Sequence, residues 1–89
     1  MAWKVELDLS AKKDLNKLDP QQAKRILKYL HTRIEGSKDP RIFGQSLSGN
    51  KIGLWRYRIG DYRLVCRIED HALVVLVVSV GHRKEIYEN

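Results

Sequence analysis

The 89-residue sequence has few of the features that mark special classes of protein. Its 1 cysteine, Cys66, excludes an intrachain disulfide and a thiolate zinc site. With 6 glycines and 2 prolines, the chain is neither collagen-like nor of low complexity. The longest apolar run, residues 72–78, is far shorter than the roughly 20 residues that a membrane span needs. Residues 1–10 lack a secretory signal pattern, so we expect a cytoplasmic protein.

Acidic residues are also scarce relative to basic ones. Lys and Arg total 17 against 11 Asp and Glu, which gives a net charge of +6 and a pI of about 9.7. This excess favours an anionic partner, namely a nucleic acid, an acidic protein or an anionic membrane surface. A basic protein without such a partner has the same composition, so charge alone leaves the choice open. The length predicts a single domain, residues 1–89, with one small core.

The first half of the chain has the periodicity of one strand and two helices. Residues 3–9 alternate between apolar and charged side chains, as in a half-buried strand. Ser10 is then the expected N-cap of a short first helix. Asp19 followed by Pro20 predicts the start of a second helix, and Gly36 predicts its end.

The second half has the pattern of a sheet. Residues 37–50 are expected to form a surface loop because they are rich in Gly, Ser, Pro and Asn. Residues 54–59 and 62–69 are predicted strands joined by a two-residue turn, and residues 72–80 are a predicted interior strand. The expected fold class is α+β in the order β-α-α-β-β-β: a small, mainly antiparallel sheet with two N-terminal helices on one face.

The two-residue turn determines which hairpin side chains share a face. Ile59 would lie opposite Tyr62 and Arg58 opposite Arg63, and residues opposite each other or two apart point to the same side. One face is then apolar and is expected to form the core: Trp55, Tyr57, Ile59, Tyr62, Leu64, Cys66 and Ile68. The other face carries four arginines beside two apolar residues, with Glu69 as the nearest counter-charge: Arg56, Arg58, Arg63 and Arg67, with Leu54 and Val65.

Four arginines on one face destabilise a hairpin unless something neutralises them. Arginine binds phosphate through two parallel hydrogen bonds, so this face is a predicted phosphate site. The alternative is that the side chains extend into water or pair with carboxylates of the loop or the C-terminal segment.

Residues 80–87 include three side chains that could take part in catalysis, and all three follow the last predicted strand: His82, Arg83 and Tyr87. His and Tyr can transfer protons, and Arg can stabilise charge that develops on a phosphorane. The same segment is also typical of a solvated tail. Its expected proximity to the arginine hairpin makes it a candidate site.

The sequence resembles the RelE/ParE superfamily of bacterial toxin–antitoxin toxins over nearly the whole chain. The matching motifs are Leu47-Ser48-Gly49, residues 55–65 (WRYRIGDYRLV) and residues 80–87 (VGHRKEIY). The resemblance implies a RelE-like fold. Its RelE branch implies an endoribonuclease that cleaves mRNA in the ribosomal A site without a metal or other cofactor. The implied partners are the ribosome with its mRNA and a cognate antitoxin, which is acidic or covers the arginine face, and no membrane is implied.

The resemblance also assigns roles to individual residues. It places the family's sheet arginine at Arg63, the strand-end arginine at Arg83 and the C-terminal tyrosine at Tyr87. One hairpin basic position falls on Arg56, but a second falls on Leu54, so proton transfer by His82 is an alternative to Tyr87. A wider basic set is expected to contact RNA: Lys51, Arg56, Arg58, Arg67 and Lys84.

Two other functions remain open. A toxin of the ParE branch would poison DNA gyrase without any nuclease chemistry, although Arg63, Arg83 and Tyr87 together favour RNA cleavage. A non-catalytic nucleic-acid-binding module would use the same basic face for affinity alone.

Overall fold

The computed structural model describes residues 3–49 and 53–82. Within these residues, five strands form one sheet in the order β1-β5-β4-β3-β2. Strands β1 and β5 are parallel, and the other neighbours are antiparallel. The elements are β1 (Lys4–Leu7), α1 (Leu9–Asn16), α2 (Pro20–Tyr29), β2 (Gln45–Ser46), β3 (Leu54–Ile59), β4 (Tyr62–Glu69) and β5 (Val74–His82). The predicted α+β class is confirmed, with one more strand than predicted.

Both helices pack on one face of the sheet, as predicted. Ala11 of α1 and Ile26 of α2 belong to the same buried cluster as Leu64 of β4 and Val77 of β5. Helix α2 continues into a π-helical turn, Leu30–Ile34, whose first and last residues are also buried. Removal of these side chains from water is the main force that holds the helices on the sheet.

The start of α1 differs from the prediction. Its N-cap is Asp8, whose Oδ1 accepts a hydrogen bond from the backbone N–H of Ala11 at 2.9 Å, and Ser10 lies inside the helix. Strand β1 accordingly ends at Leu7, and Leu9 begins the helix with 69% of its surface exposed. The prediction was wrong because Leu7 and Leu9 continue the alternation of the strand across the true boundary.

Removal of each candidate cap gives a direct test of this boundary. Asp8→Ala should lower the free energy of unfolding by about 1 kcal/mol, because it leaves a backbone N–H of the first turn without its acceptor. Ser10→Ala should change it by less than about 0.5 kcal/mol, because the residue is exposed within the helix. Urea denaturation of both variants measures the two values, and equal losses would contradict the assignment of Asp8 as the cap.

The second helix begins where predicted, whereas the predicted end at Gly36 corresponds to the end of the π-helical turn and not to that of α2. Asp19 is the N-cap and Pro20 is the first helical residue. The Asp19 side chain makes no capping hydrogen bond, but its carbonyl accepts the N–H groups of Gln22 and Ala23. After the π-helical turn, Gly36 adopts φ +84°, a left-handed conformation that favours glycine at helix ends.

The predicted loop 37–50 contains structure that its composition did not indicate. A 3₁₀ turn, Pro40–Phe43, is capped by Asp39, whose carboxylate accepts the N–H of Arg41. The buried Tyr57 hydroxyl donates to the Pro40 carbonyl at 2.9 Å, which ties this turn to the sheet. The short strand β2 follows and pairs with β3. A strand of two residues has no periodicity, so sequence patterns could not reveal it.

A β-bulge interrupts the pairing of β4 with β5. Val65 pairs with Ser79, whereas Cys66 pairs with Val77, so Val78 is an extra residue in β5. The bulge shifts the alternation of β5, and valines on both sides of it reach the same core. It therefore also decides which face each residue at the end of β5 occupies.

Candidate functional site

The β3–β4 hairpin has the predicted register. Ile59 lies opposite Tyr62 and Arg58 opposite Arg63, around a turn in which Gly60 adopts φ +60°. The four hairpin arginines therefore share the face of the sheet that points away from the helices, which we call the outer face. Three expected core residues, Trp55, Tyr62 and Ile68, are only half-buried, and the Arg41 guanidinium carbon lies 5.6 Å from the ring centroid of Trp55.

The four arginines of the outer face differ in their surroundings. Arg63 is buried, with 5% of its surface exposed, whereas Arg58 and Arg67 are exposed. Arg56 is half-buried and donates a hydrogen bond from Nη2 to Oε1 of Gln45, a residue of β2. Because a guanidinium stays charged even when buried, Arg63 places a fixed positive charge in a region of reduced dielectric.

The outer face carries more than arginines. The parallel pairing of β1 with β5 brings Lys4 and Glu6 to this face beside Val74 and Leu76. Val65 is buried here with 5% of its surface exposed. Sequence reasoning missed the contribution of β1 because it did not predict which strand β1 pairs with.

The last two residues of β5 lie at register positions on opposite faces of the sheet. Gly81 lies opposite Arg63 on the outer face, and His82 lies opposite Tyr62 on the face of the helices. The rings of His82 and Tyr62 meet edge to face, with centroids 5.7 Å apart and an interplanar angle of 80°. The structure therefore does not bring His82 onto the face that carries Arg63.

Asp14 of α1 holds the end of β5 in place. Pairing with β1 stops at Val77, and the backbone N–H of Val80 instead donates to Oδ2 of Asp14 at 2.9 Å. A helix side chain thus takes the place of a strand partner immediately before the segment that leads to Arg83. Sequence reasoning missed this role because an acidic residue on a short helix is typical of a solvated surface.

Several predicted site residues lie outside the described residues: Lys51, Arg83, Lys84 and Tyr87. Among the described ones, Arg56, Arg58, Arg63 and Arg67 share the outer face, and His82 does not.

Other reactive groups show no sign of a separate active site. Cys66 is buried as predicted, and burial raises the pKa of its thiol, so the nucleophilic thiolate is disfavoured. Over residues 3–49 and 53–82, no group of three His, Cys, Asp or Glu side chains is arranged to hold a metal ion. In the same part of the chain, no helix is long and apolar enough to cross a membrane.

Comparison with known proteins decides the family. Residues 5–87 match the family described as "ParE toxin of type II toxin-antitoxin system, parDE". The chain belongs to this toxin family. The resemblance to the RelE/ParE superfamily is therefore confirmed, and the protein is a toxin of a type II toxin–antitoxin system.

Individual relatives of the toxin match over nearly its whole length. Toxin RelG of Mycobacterium tuberculosis is 31% identical over 87 residues, which cover 98% of each chain. The mRNA interferase toxin RelE of Escherichia coli is 36% identical over 93 residues, with coverage of 98% of this chain and 92% of that one.

Solved structures give the same result for the fold. The toxin–antitoxin complex RelBE2 from M. tuberculosis matches with a TM-score of 0.85 at 29% identity, covering 93% of this chain and all of that chain. A free mutant of the E. coli toxin RelE matches with a TM-score of 0.76 at 28% identity, covering 98% and 90% of the two chains. The expected RelE-like fold is confirmed.

Proposed function

We propose that this toxin is a metal-independent endoribonuclease that cleaves mRNA in the ribosomal A site and so arrests translation. The observation that carries the proposal is the buried Arg63, directly opposite Arg58 on the outer face. A buried guanidinium keeps its positive charge and offers parallel N–H donors that match two oxygens of an RNA phosphate. The similarity to an mRNA interferase over nearly the full length supports the same activity.

The reaction needs no group beyond the RNA and protein side chains. The 2′-hydroxyl of the upstream nucleotide attacks the scissile phosphorus in line, a new P–O2′ bond forms, and the P–O5′ bond breaks. One proton leaves the 2′-oxygen and one reaches the departing 5′-oxygen. Arg63 would stabilise the negative charge of the pentavalent phosphorane, with Arg83 as a second cation. Flanking phosphates would contact Arg56, Arg58 and Arg67.

Proton transfer falls to Tyr87 rather than His82 in this proposal. The pairing of His82 with Tyr62 puts the imidazole on the helix side of the sheet, away from Arg63. A general acid or base must come within hydrogen-bonding distance of the reacting oxygen, and a position on the opposite face of the sheet from Arg63 disfavours His82 for this role.

The second proposed partner is a cognate antitoxin that covers the outer face. A solved relative is a toxin–antitoxin complex, and this chain matches it over 93% of its own length. The outer face combines arginines with the apolar residues Leu54, Val65 and Leu76. An amphipathic segment with acidic side chains would bury the apolar residues and pair with the arginines.

Induction of the toxin in growing bacteria, with protein synthesis and mRNA 3′ ends followed together, tests the proposed function. The expected result is rapid loss of translation with cuts in phase with codons. A gyrase poison, which the ParE description of the family favours, would instead leave mRNA intact and give filamentous cells with damaged DNA. A non-catalytic RNA-binding protein would produce no cuts at all, and either outcome would overturn the proposal.

A further inference from the structure

A basic cleft lies on the helix side of the β3–β4 turn, with Arg58 of the outer face at its border. It has a volume of about 300 Å³ and is bounded by the second half of α2, the π-helical turn and the hairpin turn. Four cations line it: Arg25, Lys28, Arg33 and Arg58. The lining residues that the structure describes include no carboxylate.

These cations are not neutralised by the chain as far as it is described. Across residues 3–49 and 53–82, none of the four forms an ion pair, whereas Arg41 contacts both Asp39 and Asp70, at 3.5 and 2.6 Å. The described chain thus neutralises Arg41 with two carboxylates, whereas the four cations of the cleft lie near one another without a carboxylate between them. Their mutual repulsion favours an anion between them.

Two contacts restrict the cations of the cleft. The Arg25 guanidinium lies so close to Gly60 that a Cβ atom added to this glycine would be 2.8 Å from Nη1. The guanidinium carbon of Arg33 lies 5.9 Å from the ring centroid of Tyr29, a cation–π contact. Side chains that are already ordered lose less conformational entropy when they bind a ligand.

Helix geometry explains only part of this cluster. Lys28 and Arg33 lie near the carboxyl end of the helical segment, where the helix dipole favours positive charge. Arg25 lies further from that end, and Arg58 belongs to β3, so the dipole accounts for neither. The π-helical turn that carries Thr32 and Arg33 is a rare conformation that is frequent at functional sites.

We infer that this cleft is a second binding site for the phosphodiester backbone of RNA. The inference rests on the proposed function, because the cleft extends the surface on which the cleaved RNA would lie. Arg58 belongs to both places: it lies opposite Arg63 on β4 and also lines the cleft. Strand β2 pairs only with Trp55 and Arg56, so in the described chain the sheet edge beside Arg58 has no strand across it.

The chemistry of the lining favours RNA over an acidic protein. Protein interfaces deplete charged residues at their centre and depend on buried apolar anchors. Here cations make up half of the eight lining residues, and protein–nucleic-acid interfaces are much richer in positive charge. The planar guanidinium of arginine can also donate two parallel hydrogen bonds to two oxygens of one phosphate.

Salt-dependent binding of an uncleavable RNA tests the inference. The probe is a single-stranded dodecanucleotide with 2′-O-methyl riboses, and affinity is measured from low to moderate KCl. Arg25→Gln/Lys28→Gln removes two cations of the cleft, whereas Lys12→Gln/Lys13→Gln removes two exposed cations of α1 as the matched control. In the cleft variant, the affinity for RNA should fall by about tenfold. The slope of log affinity against log salt concentration should become shallower by roughly 0.7 for each phosphate that the toxin no longer neutralises. The control variant should change neither quantity.

Further arms distinguish the alternatives. Thr32→Glu, which adds a carboxylate to the cleft from an exposed position, should repeat the loss, and circular dichroism verifies that each variant is folded. Equal losses in the cleft and control variants would overturn the inference. So would a loss of affinity for poly-L-glutamate with RNA binding unchanged, because the cleft would then bind acidic proteins.

The inference and the proposed function can fail separately. Suppose that the wild-type toxin leaves ribosome-bound mRNA intact, and that the salt dependence of RNA binding falls in the cleft variant but not in the control. The inference then stands and the proposed function is wrong. If the toxin cleaves mRNA and the two double variants bind RNA equally, the inference is wrong and the proposed function stands.

Discussion

Arg63→Lys should lower the rate of mRNA cleavage on programmed ribosomes by about 100-fold or more, the usual cost of removing one preorganised donor to a developing anion. Lysine keeps the positive charge but offers a point charge in place of the planar fork that contacts two phosphate oxygens. The effect should be large because Arg63 is buried, with 5% of its surface exposed, and electrostatic interactions strengthen away from water.

The same substitution at a neighbouring arginine provides the control. Arg67 shares the outer face further along β4 but is exposed, so Arg67→Lys should reduce the rate by less than about tenfold, as for an interaction in high dielectric. The measurement is the single-turnover rate with saturating toxin, after urea denaturation has verified that both variants are folded. A fully active Arg63→Lys variant would exclude Arg63 from the chemical step.

Ile26→Ala should lower the free energy of unfolding by about 2–5 kcal/mol, the range for truncation of a buried aliphatic side chain. Ile26 has 0% of its surface exposed and lies where α2 packs on the sheet, so its truncation leaves a cavity that the neighbours fill only in part. A domain of this size has only about 5–15 kcal/mol of stability, so this one change removes a large fraction of it.

The adjacent residue of the same helix is the matched control. Leu27 is 44% exposed, and Leu27→Ala should cost only about 1 kcal/mol because its side chain is only partly buried. Urea denaturation of the two variants gives both free energies of unfolding. The dependence of that free energy on urea concentration should be the same in both variants, so that the two values can be compared. Equal losses would show that the buried face of α2 is wrongly identified.

The hairpin could be predicted from the sequence because its determinants are local. A glycine-first turn of two residues fixes the pairing of Ile59 with Tyr62, and every later pair follows by counting. The face that carries Arg58 and Arg63 is therefore a consequence of the turn. The limits of the helical segment formed by α2 and the π-helical turn were equally local, since Pro20 begins it and Gly36 follows its end, each through its own backbone preference.

The features that sequence reasoning missed depend on contacts between distant segments. The extra residue Val78 in β5 reflects the fit of β5 to β4, and it moves His82 to the helix side of the sheet. Asp14 contacts a strand 66 residues further along the chain. Likewise, Arg58 lines a cleft with cations of α2, which no periodicity within either element could indicate.

The parallel pairing of β1 with β5 has a consequence for the order of folding. Lys4 meets Val74 across 70 residues of chain, whereas β3, β4 and β5 meet their neighbours through short connections. Closing the long loop costs more entropy than closing the short ones, so the three-stranded meander should form first and β1 should dock last. During synthesis, β1 cannot pair with β5 until residues 74–77 have left the ribosome. Gly81 must emerge after them before it can meet Arg63, so the nascent toxin passes most of its own translation without its site.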